Sequence, residues 1–150
     1  MLVHIEKAII SDIPSLTSLL FQLFSKEAEF TPDITAQEQS LRMIINNPQS
    51  GVILTAKHNG QTIGMVNLLF TVSTALGGKV ILLEDMIISE QYRSQGIGSK
   101  LLAEAIAFAN REGFKRITLL TDLTNEIGQQ FYSSHGFTKS TMVPMRLLLG

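Results

Sequence analysis

The chain has 150 residues, of which 45% are hydrophobic and 17% charged, and its formal net charge is −1. That length and balance suit one folded domain around a single buried core and exclude a disordered chain. The absence of cysteine excludes disulfide frameworks, thiolate catalysis and cysteine-held zinc; the lack of any run of like charges argues against a general nucleic-acid binder.

The opening Met1-Leu2-Val3-His4-Ile5-Glu6 has no basic segment followed by a long apolar one. No apolar run approaches the ~18 residues that span a bilayer. The expected setting is therefore the cytoplasm, with no membrane partner. Residues 2–10 alternate weakly and predict a first strand. Asp12 is placed to cap a helix with Pro14 in its first turn, along which Ile13, Leu16, Leu20, Leu23 and Phe24 recur at helical spacing. Thr35 and Glu38 have the spacing of a capping box for a second helix, which Asn46-Asn47-Pro48 stops. Residues 52–58 and 62–74 are rich in β-formers, and His58-Asn59-Gly60-Gln61 between them predicts a hairpin turn. Gly77-Gly78 predicts the next turn, into a strand over 79–88.

Beyond that strand, Ile97, Leu101, Leu102, Ala105, Phe108 and Ala109 draw one helix face that ends at Gly113. A strand over 115–121, a short helix over 125–135 and a last strand over 137–149 follow. Pro144 assigns this last strand to an edge or a bulge. The order is β-α-α-β-β-β-α-β-α-β without repeat or linker, a single domain over 1–150.

Arg93-Ser94-Gln95-Gly96-Ile97-Gly98-Ser99 lies between an apolar strand and an amphipathic helix. Its glycines let a ligand approach the backbone, and the helix start offers unpaired N–H groups and the positive end of a dipole. Phosphate or pyrophosphate is the favoured ligand. A Rossmann fingerprint would need a third glycine where Leu101 stands, and Gly98-Ser99-Lys100 lacks the spacing of a Walker loop. A bare Gly-x-Gly would more often be an ordinary turn.

The context of the loop is more specific. Leu83-Glu84-Asp85-Met86-Ile87-Ile88-Ser89-Glu90-Gln91-Tyr92-Arg93-Ser94-Gln95-Gly96-Ile97-Gly98 closely resembles the central strand and loop of GNAT N-acetyltransferases, with Arg93, Gly96 and Gly98 in the family's signature positions. The stretch from Asn125 through Tyr132 to Phe137 is similar to the family's later asparagine-to-tyrosine helix. The resemblance extends over essentially the whole chain. It implies the GNAT fold: an α/β domain (α+β in some schemes) with a mixed, mostly antiparallel sheet of about six to seven strands and four flanking helices. It also implies transfer of an acetyl group from acetyl-CoA to an amine, small molecule or peptide, by direct attack in a ternary complex. An alternative is a non-catalytic acetyl-CoA-binding sensor of the same fold. Dimers are common in the family, which leaves a homodimer open.

Carried over residue by residue, the resemblance assigns the pantetheine arm to the backbone of Met86, Ile87 and Ile88. The pyrophosphate falls to Ser94, Gln95, Gly96, Ile97, Gly98 and Ser99 beside Arg93, and the cofactor arm also meets Asn125. Tyr132 is the candidate acid at the departing sulfur. Glu84 is the candidate base, against the alternative that it pairs with a basic neighbour or orders a bulge. A base is useful because an alkylamine of pKa ~10.4 is neutral in only about one molecule in a thousand near pH 7.4.

His4, His58 and His135 are scattered, and no metal site is expected. No Gly-x-Ser-x-Gly elbow occurs, which argues against a serine hydrolase. The apolar stripe over 16–24 reads as core. The acceptor is left open among small amines, amino acids, antibiotics and protein N-termini.

Overall fold

Alternating apolar residues build a sheet from strands β1 (His4–Lys7), β2 (Gly51–His58), β3 (Gln61–Ser73), β4 (Gly78–Ile88) and β5 (Ile117–Leu119), in that spatial order. In this computed structural model, which describes residues 1–27 and 29–150, β1 to β4 pair antiparallel and β5 joins β4 in parallel. Helices α1 (Ile13–Phe24) and α2 (Ile34–Ile45) lie between β1 and β2 in the chain; α3 (Ile97–Arg111) and α4 (Glu126–Ser134) flank β5.

The hairpin expected at 58–61 forms: Asn59 and Gly60 have φ of 50° and 77°, the twist that joins two adjacent strands directly. Gly77 turns β3 into β4 with φ 71°. The apolar face read for α3 is buried at all six positions, from Ile97 to Ala109. Helix α3 ends before Gly113, which takes φ 78°.

The two faces of the sheet carry two cores. Leu54, Val66, Leu68, Ile81 and Leu83 pack on Leu101, Leu102, Ala105 and Phe108 of α3, with Phe131 and Tyr132 of α4 alongside. On the other face Ile53, Met65 and Ile87 meet Ile13, Leu16, Leu19 and Leu20 of α1 and Leu41 of α2. The stripe on α1 is thus core, as expected. Leu101 is fully buried, so Leu101→Ala is expected to cost about 2–5 kcal/mol of stability through lost burial and a residual cavity. Urea unfolding would measure it.

Several expectations need correction. Asp12 does not cap α1 through its side chain; its carboxylate accepts from the Ile9 N–H and from Lys57 Nζ, both at 2.8 Å. A nearly buried ammonium outcompetes a helix N–H for the carboxylate, and Asp12 holds the Lys57 ammonium above its ordinary pKa. The second helix starts earlier than Thr35. Asp33 accepts from the Ala36 N–H at 3.2 Å, and its own N–H donates to Gln37 Oε1 at 2.8 Å. The strands expected over 2–10 and 115–121 shorten to the ranges of β1 and β5. The strand expected over 137–149 does not form: among the described residues this segment pairs with no strand, and the outer edge of β5 stays open. Among the described residues the sheet therefore has five strands rather than six or seven, while the four helices are as expected.

Candidate active site

Strand β4 organises the site. Its pairing with β5 covers only Ile81–Leu83 against Ile117–Leu119. Its other edge stays bonded to β3 as far as Ile88. From Glu84 to Ile88 the β5-side edge is therefore unpaired among the described residues, and the expected arm-binding residues Met86, Ile87 and Ile88 lie there.

Within β4 the register shifts: Asn67 pairs with Asp85 and Leu68 with Leu83, leaving Glu84 as the extra residue of a bulge. The bulge resets the two-residue alternation. Leu83, Met86 and Ile88 belong to the core beneath α3 and α4, whereas Ile87 belongs to the core beneath α1 and α2. Asp85 shares its parity with Ile87 and enters the α1–α2 side, while Glu84 is exposed.

Asp85 accepts a hydrogen bond from Asn67 Nδ2 at 3.0 Å. Asn67 is buried, and its Oδ1 has no protein partner. Burial pushes the Asp85 carboxyl up to about 6; the Asn67 bond holds it down in part, and the neighbouring Glu84 adds to the rise. Beyond the C-terminus of α1, Glu27 is pushed up to about 7, first by burial and then by Asp85, Asp122, Glu84 and Glu29. The Tyr132 phenol is pushed up to about 12 by burial and by Glu27, so it keeps its proton throughout the neutral range.

Glu27 lies within electrostatic reach of Asp85, Asp122, Glu84 and Tyr132, and of these groups only Glu84 and Tyr132 were expected in the site. Glu27, Asp85, Asp122 and Asn67 were missed as functional groups. Two weak signals existed: Asn67 interrupts an apolar strand, and Glu27 is an acid just past a helix C-terminus, where the dipole disfavours it.

A raised carboxyl pKa has a definite consequence for stability. Between its unfolded value and about 6, Asp85 binds more protons folded than unfolded, so stability falls as pH rises through that interval. Asp85→Asn should flatten this slope and, above pH 7, recover on the order of 2–3 kcal/mol. Denaturant unfolding of both proteins at pH 4.5 and pH 8 measures the difference.

The loop before α3 is turned by two left-handed residues, Ser94 at φ 62° and Gly96 at φ 79°, the latter at the N-cap of α3. Ser94 carries a side chain in a conformation that such residues seldom adopt. Alternating left- and right-handed residues aim successive N–H groups into one concavity, which suits an anion. Arg93 Nε donates to the Ile88 carbonyl at 3.0 Å, and the buried Nη2 has no partner. Ile97 places its side chain in a small core with Val3, Ala56 and Ile63, so its contribution to a ligand is its backbone. Gln95 bonds loosely back to the Gln91 carbonyl, and Ser99 Oγ meets His135 Nε2 at 3.2 Å.

Asn125, expected beside the cofactor arm, caps the helix that carries Tyr132. Its Oδ1 caps α4 by accepting from the Gly128 N–H at 3.0 Å, and its Nδ2 donates to Thr121 Oγ1 at 3.2 Å. A Cβ at position 128 would collide with the Asn125 side chain, so the cap needs the glycine. Helix α4 holds Tyr132 between Phe131 and Phe137, with ring centroids 5.3 and 5.8 Å away. Among the described residues no group of three or more histidine, aspartate or glutamate side chains is placed to hold a metal ion, and no helix is long and apolar enough to cross a membrane.

The model of the acetyltransferase (GNAT) family matches residues 14–137. An uncharacterised N-acetyltransferase of Bacillus subtilis, YhfO, is 30% identical over 140 residues, which cover 92% of this chain and 91% of that protein. Two solved structures share the fold. An integron cassette protein from the Cole Harbour Salt Marsh metagenome superposes with a TM-score of 0.85 at 20% identity, covering 97% of this chain and 90% of that one. The aminoglycoside N-acetyltransferase AAC(6')-Iy, solved in complex with CoA, gives 0.82 at 17% identity over 98% and 95% of the two chains. The likeness to YhfO runs the length of both chains, and the family model takes in both expected motifs: this chain belongs to the GNAT acetyltransferase family.

Proposed function

We propose that this acyltransferase moves an acetyl group from acetyl-CoA to a primary amine by direct attack in a ternary complex. The observation that carries the reading is the turn of Ser94 and Gly96 at the N-terminus of α3, set against the open edge of β4. The residues fit a diphosphate: left-handed Ser94 and Gly96 turn the backbone at a helix start, whose first N–H groups lack helical partners, and among the described residues Arg93 Nη2 is a buried donor without a partner. Acetyl-CoA, when bound, supplies an acetyl group activated as a thioester.

The chain's own groups divide the remaining work. Ser94 to Ser99 and Arg93 hold the pyrophosphate, and the backbone of Met86 to Ile88 lies along the pantetheine arm. Glu27, Asp85 and Asp122 give the acceptor side a negative potential that draws a protonated amine. Glu84, exposed at the bulge, takes the proton that the amine must lose, directly or through water. The Tyr132 hydroxyl, held protonated by its raised pKa, donates toward the departing sulfur. Asn125 serves as a positioning residue: by capping α4 it sets where Tyr132 stands.

Two experiments test this reading. Coenzyme A release from acetyl-CoA with a panel of amines should exceed the amine-free rate; binding without turnover on every amine would favour a sensor. Acetyl-CoA should also raise the melting temperature with increasing concentration. Gly98→Val should abolish that shift. A Cβ at 98 lies 3.5 Å from Phe131, an ordinary contact, so the first added carbon fits the fold, and a lost shift would report on the cofactor rather than on folding. A full shift in this variant would remove the loop from the cofactor site.

A further inference from the structure

A cavity opens at the end of the sheet remote from the glycine turn. It lies where β1 leaves the sheet and β2 enters it, between the last turns of α2 and α3. Its volume is about 480 Å³, in the range of small-molecule sites. Phe108 and Glu112, which line it, stand at the C-terminal end of α3, whereas Gly96 caps the other end. Fifteen residues of helix separate the two ends by about 22 Å. The cavity therefore lies apart from the site built on β4 and the turn.

Its apolar lining is part aromatic and part aliphatic. Phe70, Phe108 and Phe114 form one cluster, with ring centroids 4.7 Å apart for Phe70 and Phe114 and 6.1 Å for the other two pairs. Phe70 and Phe114 are only half-buried, so both keep ring surface for a partner. Ile44 and Ile45 at the end of α2 and Val52 at the start of β2 supply the aliphatic part, and they are half-buried too.

The charges on this lining are unbalanced. Lys7 and Lys79 line the cavity and are exposed. Among the described residues neither forms an ion pair; Glu6, next to Lys7 in the chain, is engaged with Lys57 at 3.2 Å. Lys7 Nζ and the Arg111 guanidinium each stand 5.9 Å from the centroid of the Phe108 ring. Against the two lysines, Glu112 is the one carboxylate among the described lining residues. Helix C-termini would ordinarily repel an anion, but here their carbonyls are taken. Ile44 accepts from the Asn47 N–H at 3.2 Å, Ala109 from Phe114 at 2.9 Å and Asn110 from Gly113 at 3.2 Å.

We propose that this cavity binds an aryl monocarboxylate, a ligand distinct from both the acyl donor and the acceptor amine. The aryl ring joins the phenylalanine cluster through offset or edge-to-face contacts, which an alkyl chain cannot make. The two ammonium groups supply the attraction for the carboxylate. An arylalkylamine of the same shape would meet repulsion instead.

The test uses the full chain without acetyl-CoA, so its result stands apart from acetyl transfer. Calorimetric titration should show 2-naphthoate binding more tightly than 2-naphthamide, its neutral counterpart, and 2-naphthylmethylamine binding least. Octanoate should bind more weakly than 2-naphthoate. Lys7→Gln/Lys79→Gln changes two exposed positions, so the melting curve should hold. Its Kd for 2-naphthoate should rise about two- to thirty-fold, the range for two exposed ion pairs lost, with the amide unaffected. Backbone amide resonances of Val52, Phe70 and Phe114 should shift on titration, while those of Gly96 to Ser99 stay. No binding of 2-naphthoate at millimolar concentration would overturn the proposal. So would equal binding of the amide, the amine or octanoate, shifts centred on Gly96 to Ser99, or a folded double variant that binds 2-naphthoate as the parent does. The ligand series decides the matter even for a variant that does not fold.

Discussion

Tyr132→Phe is expected to lower kcat for amine acetylation by about 10²–10⁴-fold, the range of a lost general acid, with the affinity for acetyl-CoA unchanged. The ring sits among Phe131, Phe137 and the core on α3, and phenylalanine keeps that packing, so the melting temperature should hold. The phenol pKa of about 12 makes the hydroxyl a donor at every pH an assay can use. The ratio of the parent and variant rates should therefore not change with pH below the phenol's pKa, even as the amine itself is deprotonated. Steady-state kinetics beside calorimetric titration of acetyl-CoA separates the effects: an equal loss of affinity, or full turnover, would make the ring structural.

Glu84→Gln should slow acetylation most at neutral pH, and higher pH should restore part of the rate by supplying neutral amine from solution. The sign follows from the amine, whose pKa of ~10.4 keeps it almost wholly protonated near pH 7. An acceptor that is already neutral at pH 7 would hide the effect. Glu27 is the rival. Its carboxyl, pushed up to about 7, is half-ionised in the assay range, which suits a base. Glu27→Gln has a distinct signature if Glu27 only steers the cation: KM for the amine rises and becomes less sensitive to salt, while kcat stays. Profiles of kcat/KM against pH for the two variants assign the proton. A Glu84→Gln profile parallel to that of the parent, with Glu27→Gln carrying the pH-dependent loss, would transfer the role to Glu27.

Sequence and tertiary structure contributed different parts of this site. Local rules were enough for α3, whose six apolar positions at helical spacing are all buried, for the Asn59-Gly60 hairpin and for the glycine turn at 94–98. In each of these the determining physics lies within a few residues: a period, a left-handed φ, a helix start. Helix entrances were less legible, because Asp12 had two suitors and only the folded chain brings Lys57 to it. Strand alternation by itself separates Glu84 from Asp85, but which of the two is exposed could not be read: the bulge opposite Asn67 and Leu68 leaves Glu84 exposed and Asp85 half-buried, and long-range pairing decides a bulge. The raised pKa values of Glu27, Asp85 and Tyr132 have the same origin, since desolvation and like charge depend on which loops meet. The segment over 137–149 shows the limit from the other side. Its composition is that of a strand, but a strand exists only where an edge accepts its hydrogen bonds, and among the described residues none does.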